Sequence, residues 1–319
     1  MPLHSSAQQY LEELAALNLA PKRTLPIATV RRNAIAKAVM GKARTEIGSV
    51  TDQNIPSEGG ELPLRIYTPE GTGPFPAIVY FHGGGWATNN LDTHDELCRK
   101  LSTETGTVVV SADYRLAPEA KFPAGINDAA AAVKWTFQHA ADLNADTNRI
   151  LVAGDSSGGN FAAALCLRFR DENGPPIAGQ ILYYPVTDYY DSCAQSYRSF
   201  SEGYGLTAAD MAWFWDLYLP DKAAANDPYA SPLRAKDIKG LPPALVITAE
   251  YDPLVDEGHA YAMRLQEAGV PTRYNCYSGT IHGFLIVPAL AEDTARAVRE
   301  TNEWLASVFA SGQQAVSTG

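Results

Sequence analysis

The sequence is poor in positive charge and has no long uninterrupted apolar run. Its 319 residues include 25 Lys and Arg against 36 Asp and Glu, a formal net charge of −11, so nucleic acid is not an expected partner. No window approaches the roughly 18 apolar residues of a membrane-spanning helix, so no membrane partner is expected. The first residues lack a basic region followed by an apolar stretch, and we expect no secretory signal.

Cysteine and histidine are also scarce. The four cysteines lie far apart and form no Cys-x-x-Cys pair, which predicts reduced thiols packed as small hydrophobic side chains. Together with the absence of a signal, this favours a cytoplasmic protein. The six histidines include no His-Glu-x-x-His motif and no pair at ligand-like spacing, so we expect no metal site.

What the sequence does contain is a regular alternation of β-rich runs and helical patterns. Two helical patterns within residues 1–48 precede the first of these runs. The predicted strands are 64–67, 77–81, 108–112, 150–153, 181–184, 245–248 and 272–277. The predicted helices lie near 94–105, 124–141, 158–170, 256–268 and 290–309. This alternation predicts one α/β domain with a largely parallel sheet, its strands covered on both faces.

Residues 189–231 break that rhythm with several tyrosines, a helical run at 207–218 and two prolines, and a third proline follows at residue 232. An insertion between two strands, lying over the edge of the sheet, is the simplest interpretation. The aromatic stretch 211–215 has side chains on several sides of the predicted helix. Most of them are therefore expected to pack in the core, with one or two facing a substrate.

The pattern Gly154-x-Ser156-x-Gly158 follows a predicted strand and precedes a predicted helix. A nucleophilic serine in a sharp strand-to-helix turn needs this setting, because glycines on either side remove Cβ atoms that would collide there. The alternative is a serine that only caps the helix.

The glycine run in 82–86 favours the interpretation of Ser156 as a nucleophile. Gly83 and Gly84 could offer backbone N–H groups to an oxyanion, together with the N–H of Ser157. Phosphate binding by this run is disfavoured, because no Gly-Lys-Ser/Thr follows it.

A serine nucleophile needs a histidine base and a carboxylate that orients it, and in such enzymes the acid and then the histidine follow the serine along the chain. His282 lies in a glycine-flanked loop after the last predicted strand and is the candidate base. His259 falls within a helical run and is expected to be a surface or packing residue. Asp252, fixed by the proline that follows it, is the preferred acid, and Glu250 is the alternative.

With these residues in place, the chain resembles the bacterial hormone-sensitive-lipase-like (family IV) carboxylesterases, which have the α/β-hydrolase fold. The matching stretches are HGGGW at 82–86, DYRLAPE at 113–119, GDSSGGN at 154–160, DPLVDEG at 252–258 and HGF at 282–284. Two positions depart from the family pattern: Ser157 replaces a usual alanine, and Val255 a frequent arginine. The resemblance implies that His82 shapes its loop and does not carry a proton.

The resemblance implies an eight-stranded, mostly parallel sheet flanked by helices, with an α-helical cap from about 1–48 and 189–231 over a core at 49–188 and 232–319. All 319 residues then form one domain. It also implies hydrolysis of short- to medium-chain esters without a cofactor and, in many members, a homodimer. A lipase, an amidase or a non-catalytic ligand-binding protein are the alternatives. Candidate pocket residues are Trp86, Asp155, Tyr189, Phe214, Leu254 and Phe284.

Overall fold

A computed structural model describes residues 2–39, 44–192 and 194–317. Its eight strands form one sheet in the order β1-β2-β4-β3-β5-β6-β7-β8. β2 pairs antiparallel with both β1 and β4, and every other neighbouring pair is parallel. The strands are β1 Ser49–Ser57, β2 Gly60–Thr68, β3 Phe75–Phe81, β4 Val108–Ala112, β5 Ala145–Asp155, β6 Gln180–Tyr183, β7 Ala244–Tyr251 and β8 Thr272–Ile281.

Helices cover both faces of this sheet. The α-helices are α1 Ser5–Ala16, α2 Ile27–Val39, α3 Leu91–Thr105, α4 Ala124–Gln138, α5 Ser157–Asp171, α6 Ser196–Ser199, α7 Ala208–Tyr218, α8 Val255–Glu267 and α9 Ala291–Ser317. The prediction of an eight-stranded, mostly parallel sheet flanked by helices is confirmed.

The core divides into two layers because side chains alternate between the faces of each strand. On β3, Val79 and Phe81 belong to the hydrophobic cluster that α4, α5, α7 and α8 share. Ile78 and Tyr80 belong to a second cluster, on the opposite face, with α3 and α9. The central strands are buried along almost their whole length, as expected for parallel strands covered on both faces.

Seven of the eight strands coincide with predicted runs, and β1 is the one that the sequence did not predict. Its residues are exposed at most positions and include Asp52, Gln53 and Asn54. An edge strand with polar side chains lacks the alternation by which strands are predicted. β1 is formed instead through its nine-residue antiparallel pairing with β2.

The two segments predicted to form a cap contain α1, α2, α6 and α7. Arg31 of α2 joins the N-terminal segment to the core: its Nε donates to Ala87 O at 2.8 Å, and its Nη2 donates to Ala117 O at 2.8 Å. The same guanidinium forms an ion pair with Glu119 at 2.6 Å. The N-terminal segment is therefore fixed beside the loop that follows β3. The division of the chain into cap and core stays a prediction, and residues 1, 40–43 and 193 of the predicted cap lie outside the described part.

Within the described ranges, we find no helix that combines the length and apolar character needed to cross a membrane.

Candidate active site

Ser156 occupies the turn between β5 and α5. Its backbone has φ +56° and ψ −120°, a conformation that costs energy for any residue with a Cβ and that exposes the side chain at the top of the turn. A Cβ on Gly158 would come within 1.9 Å of the Phe81 oxygen, and a Cβ on Gly154 within 2.3 Å of the Gly158 carbonyl carbon. Both glycines are therefore required sterically, and the turn brings α5 directly against the end of β3.

Three side chains from separate segments meet at this turn. His282 Nε2 lies 3.0 Å from Ser156 Oγ, and His282 Nδ1 lies 2.7 Å from Asp252 Oδ2. Asp252 is fully buried, and its second oxygen accepts the N–H of Leu254 at 2.9 Å. The carboxylate is thus held in one orientation, and the proton of the neutral imidazole belongs on Nδ1, so that Nε2 faces the serine hydroxyl as an acceptor.

The ends of adjacent strands bring the acid and the histidine together. Asp252 directly follows β7, and His282 directly follows β8, which continues four residues beyond the predicted end at residue 277. Glu250, the alternative acid, is used elsewhere: its Oε2 accepts the N–H of Gly279 at 2.8 Å. His259 lies on α8 with its ring 4.9 Å from the Tyr274 ring, which agrees with the packing role expected for it.

Gly83 differs from its prediction as an oxyanion donor. Its N–H donates to Asp155 Oδ1 at 2.9 Å, because the carboxylate beside the nucleophile lies directly under the loop. No atom of the described ranges accepts a hydrogen bond from the N–H of Gly84, Gly85 or Ser157. The donors left for a ligand are therefore those of Gly84, Gly85 and Ser157, one position later in the glycine run than predicted.

His82 shapes the loop that holds these glycines. Its Nδ1 donates to the Gly83 oxygen at 2.8 Å, and its ring stacks on Tyr114 with the centroids 4.3 Å apart. Tyr114 in turn donates to the His82 oxygen at 2.7 Å. Burial, assisted by the nearby His94, lowers the pKa of His82 to about 3. His82 is thus a neutral residue that braces the loop, as its place in the resemblance implied.

Asp155, predicted as a pocket residue, is instead a buried anchor. Besides the Gly83 N–H, its Oδ1 accepts the Tyr80 hydroxyl at 2.8 Å and lies 3.1 Å from His94 Nε2. Burial alone would raise the pKa of Asp155, but the charge of His94 and the hydrogen bonds from Tyr80 and Gly83 together lower it. Sequence reasoning missed Tyr80 and His94, because neither belongs to a motif.

The aromatic residues of the predicted pocket separate into two groups. Phe214 of α7 lies against the glycine loop, since a Cβ on Gly85 would come within 2.2 Å of its ring. Trp86 is only 1% exposed, stacks on Tyr218 at 4.2 Å and donates from Nε1 to Asn160 at 3.3 Å. Phe214 therefore limits the space above the glycine loop. Trp86, in contrast, is buried against Tyr218.

The other pocket candidates are buried among neighbours. Tyr189 packs edge-on against Trp215, with ring centroids 5.3 Å apart. Leu254 is 1% exposed in the segment after Asp252. Phe284 is fully buried in the hydrophobic cluster on the α3 and α9 face of the sheet, with its ring 5.1 Å from that of Tyr184, and its assignment to the pocket stays a prediction.

Tyr184, which sequence reasoning missed, lies next to the reacting groups. Its ring centroid is 4.7 Å from that of His282, and its backbone has φ +36°. The residue directly follows β6, and the carboxyl ends of parallel strands are where sites form in α/β sheets. Its place at the carboxyl end of a predicted strand is the signal by which Tyr184 could have been found.

Ser157, the departure from the family pattern, has a fully buried hydroxyl with no well-formed hydrogen bond to the described residues. Burial raises the pKa of Tyr114 well above its usual value, and the nearby Ser157 hydroxyl opposes that rise. The Ser157 side chain therefore points toward Tyr114, the residue that donates to the His82 oxygen. Its N–H remains available beside Ser156.

The arrangement as a whole suits acyl transfer. A hydroxyl contacts the free nitrogen of an oriented imidazole, and unpaired backbone N–H groups lie on the adjoining loop and helix start. Such donors stabilise the negative charge that forms on a carbonyl oxygen under attack.

Comparison with known proteins agrees with this chemistry. A family model described as the alpha/beta hydrolase fold matches residues 78–286. Carboxylic ester hydrolase LipN of Mycobacterium tuberculosis is 43% identical over 257 residues, which cover 79% of this chain and 68% of the relative. An arylesterase of Saccharolobus solfataricus is 36% identical over 292 residues, covering 90% of this chain and 94% of the relative. The structure of a hyperthermophilic esterase from Pyrobaculum calidifontis has a TM-score of 0.92 at 41% identity, covering 96% of this chain and 99% of its own.

Proposed function

Because the chain belongs to the α/β-hydrolase fold family and is a carboxylic ester hydrolase, we propose that Ser156 is its nucleophile. In this proposal His282 is the general base, and Asp252 orients the imidazole and stabilises its protonated form. The observation that carries the assignment is the pair of contacts at 3.0 Å and 2.7 Å that links the three side chains.

Acylation begins when Ser156 Oγ attacks the ester carbonyl carbon and its proton passes to His282 Nε2. The carbonyl oxygen becomes an oxyanion, which the N–H groups of Gly84, Gly85 and Ser157 stabilise. The intermediate then collapses: the C–O bond to the alcohol breaks, His282 returns the proton to the leaving oxygen, and the acyl group remains on Ser156.

Deacylation repeats these steps with water. His282 removes a proton from the water as it attacks the acyl carbon, and the second tetrahedral intermediate uses the same donors. When it collapses, the carboxylic acid leaves and His282 returns the proton to Ser156 Oγ. Asp252 keeps its negative charge throughout, since its role is to hold the imidazole and not to take the proton.

Esters with short or medium acyl chains are the proposed substrates. Phe214 against Gly85 supports this, because its ring occupies space directly above the oxyanion loop. A lipase or an amidase would use the same three side chains, and no described feature favours either one over an esterase. A non-catalytic ligand-binding role is disfavoured by the direct contacts among Ser156, His282 and Asp252.

A cytoplasmic location and a homodimer are also proposals. The described cysteines support a reducing compartment, since Cys98, Cys166 and Cys276 are all free thiols. The homodimer rests on the resemblance alone, and sedimentation of the purified chain tests it.

The nucleophile is tested with Ser156→Ala and p-nitrophenyl butyrate. We expect loss of hydrolysis together with loss of labelling by a fluorophosphonate probe, which adds to Ser156 in the wild type. Full activity in the variant would overturn the proposal. A rate profile over p-nitrophenyl esters from acetate to dodecanoate tests the substrate class. A rate that rises sharply above the solubility limit of the ester would favour a lipase instead.

A further inference from the structure

A second acid–histidine contact lies behind the nucleophile. Asp155 Oδ1 accepts the Tyr80 hydroxyl at 2.8 Å and the Gly83 N–H at 2.9 Å, and His94 Nε2 lies 3.1 Å away. One carboxylate oxygen thus gathers a group from β3, a group from α3 and the backbone of the oxyanion loop. The residue that supplies it directly precedes Ser156.

This cluster is closed to solvent. Tyr80 and His94 are fully buried and Asp155 is 2% exposed. A buried carboxylate is costly unless its lone pairs accept hydrogen bonds or face a positive charge. Replacing His94 or Tyr80 therefore weakens the environment that keeps Asp155 charged and fixed in place.

The loop above the cluster has little intrinsic rigidity. Gly84 and Gly85 have φ values of +127° and +59°, and glycine is the residue that loses most conformational freedom when ordered. Both backbone polar groups of Gly83 are bonded: its N–H donates to Asp155, and its oxygen accepts the Asn89 amide at 3.1 Å. The N–H groups of Gly84 and Gly85 follow immediately along the chain, so their direction depends on how Gly83 is held.

We propose that Asp155, His94 and Tyr80 are positioning residues for ester hydrolysis: they fix Gly83, and through it the direction of the Gly84 and Gly85 N–H groups toward the oxyanion. The inference rests on the proposed function, since it assumes that these N–H groups form the oxyanion hole. Asp155 acts here through the loop and touches neither substrate nor the reacting atoms.

The variants are His94→Leu, His94→Gln and Tyr80→Phe, with Tyr67→Phe as the matched control. Tyr67 is a buried tyrosine of β2 whose hydroxyl donates to another carboxylate, Asp95, at 3.0 Å. Tyr67→Phe therefore removes the same kind of buried hydrogen bond away from the oxyanion loop. Tyr80→Phe keeps the ring and remains informative if His94→Leu does not fold.

Removing one oxyanion donor costs about 10²–10³ in kcat, and a misdirected loop loses part of that. We expect His94→Leu to lower kcat for p-nitrophenyl butyrate about tenfold to hundredfold, with KM within about twofold. Tyr80→Phe should lower kcat less. His94→Gln, whose amide group can approach Asp155 as the imidazole does, should recover much of the loss, and Tyr67→Phe should keep wild-type kcat.

Two ketone inhibitors separate positioning from general damage. A trifluoromethyl ketone forms a tetrahedral adduct whose oxyanion needs the loop donors, and its affinity should fall in parallel with kcat. The matching methyl ketone binds without that charge and should keep its affinity. A variant that is less stable but retains kcat and trifluoromethyl ketone affinity would reduce the cluster to a structural brace and overturn the inference. Equal losses for both ketones would also overturn it.

The outcome is separable from that of the proposed function. If Ser156→Ala is inactive while His94→Leu and Tyr80→Phe have wild-type kcat, only the present inference fails. If Ser156→Ala retains activity, the proposed function fails, and the inference fails with it.

Discussion

Two acid–histidine pairs flank Ser156, and they differ in what the histidine faces beyond its acid. In the reactive pair, Asp252 and His282, the second imidazole nitrogen lies 3.0 Å from Ser156 Oγ. In the rear pair, Asp155 and His94, the second nitrogen lies 2.9 Å from the Thr93 hydroxyl. The first histidine can exchange a proton with a reacting group, whereas the second is enclosed by protein.

Both carboxylates are buried, so the acid does not distinguish the pairs. What distinguishes them is access, because the His282 side chain is 11% exposed and that of His94 is fully buried. The same two residue types therefore serve proton transfer in one place and loop positioning in the other.

The largest effect is expected from the acid of the reactive pair. Asp252→Asn should lower kcat about 10⁴-fold, because the amide no longer holds the tautomer and orientation that His282 needs. Asp155→Asn, the same change in the rear pair, should lower kcat only about tenfold to hundredfold, since its side-chain oxygen can still accept the Gly83 N–H. Steady-state kinetics with p-nitrophenyl butyrate measure both.

The control is Glu250→Gln, the other acid near the end of β7, which should keep kcat within about threefold. A loss as large as that of Asp252→Asn would transfer the orienting role to Glu250. Equal losses in the two Asp→Asn variants would remove the distinction between the pairs.

The next largest effect is expected in the pH dependence of the free energy of unfolding. Its source is His82, which is buried near His94 of the rear pair. The folded pKa of His82 is about 3, below its usual 6.5, so the unfolded chain takes up this proton first as the pH falls. The free energy of unfolding should therefore decrease from about pH 6.5 toward pH 3, by at most about 1.4 kcal/mol per pH unit for this group. Above about pH 6.5, His82 is neutral in both the folded and the unfolded chain and no longer lowers the free energy of unfolding.

Urea unfolding of the wild type and of His82→Gln, at intervals from pH 7 to pH 4.5, isolates this slope. The difference between the two proteins should vary with pH in the stated direction. Asp113, whose pKa burial raises to about 6, has the opposite sign in part of this range. Because its Oδ1 lies 3.9 Å from His82 Nε2, the two groups are coupled, and the same pair of proteins is therefore also compared in an Asp113→Asn background. Parallel curves for the two proteins would contradict the assignment.

A smaller effect is expected from Phe214→Ala, which changes the room above the loop and leaves both pairs intact. Because the ring lies against Gly85, its removal should raise the ratio of kcat/KM for decanoate over butyrate esters about tenfold. Trp135→Ala on α4 is the control, since it removes a half-buried aromatic residue whose ring packs on His139. An unchanged chain-length profile in Phe214→Ala would place the limiting contact elsewhere.

The smallest effect is expected at Ser157. Ser157→Ala removes a buried hydroxyl without a well-formed hydrogen bond and should stabilise the protein by about 1 kcal/mol. kcat should stay within about twofold, because the backbone N–H is retained. Ser231→Ala, at another buried hydroxyl for which the described residues offer no hydrogen-bond partner, is the control for the stability gain. A large fall in kcat would give the Ser157 hydroxyl a direct role in the reaction.

The sequence predicted the elements that carry a strong local pattern. The apolar central strands, the turn at Ser156 and the order of acid and histidine all follow from periodicity, glycine spacing and chain order. The structure then places Ser156, Asp252 and His282 in contact. β1 was not predicted because its polar side chains conceal a strand that pairing with β2 creates.

The oxyanion loop shows where sequence reasoning stops. A run of three glycines does not reveal which N–H is already bonded, and only the structure shows Asp155 accepting that of Gly83. For the same reason Asp155 was assigned to the pocket. Such contacts join residues far apart in the chain, such as Gly83 and Asp155, and no short-range pattern encodes them.

The crowded turn around Ser156 also limits how this protein can drift in evolution. Gly154 and Gly158 have no room for a methyl group, Asp155 contacts β3, α3 and the glycine loop, and Ser156 carries the proposed chemistry. Ser157 is the single position of the five whose side chain could be exchanged without breaking a contact that the turn needs. Neutral variation in this segment should therefore accumulate there, which gives a physical reason why a departure from the family pattern is found at residue 157 and not beside it.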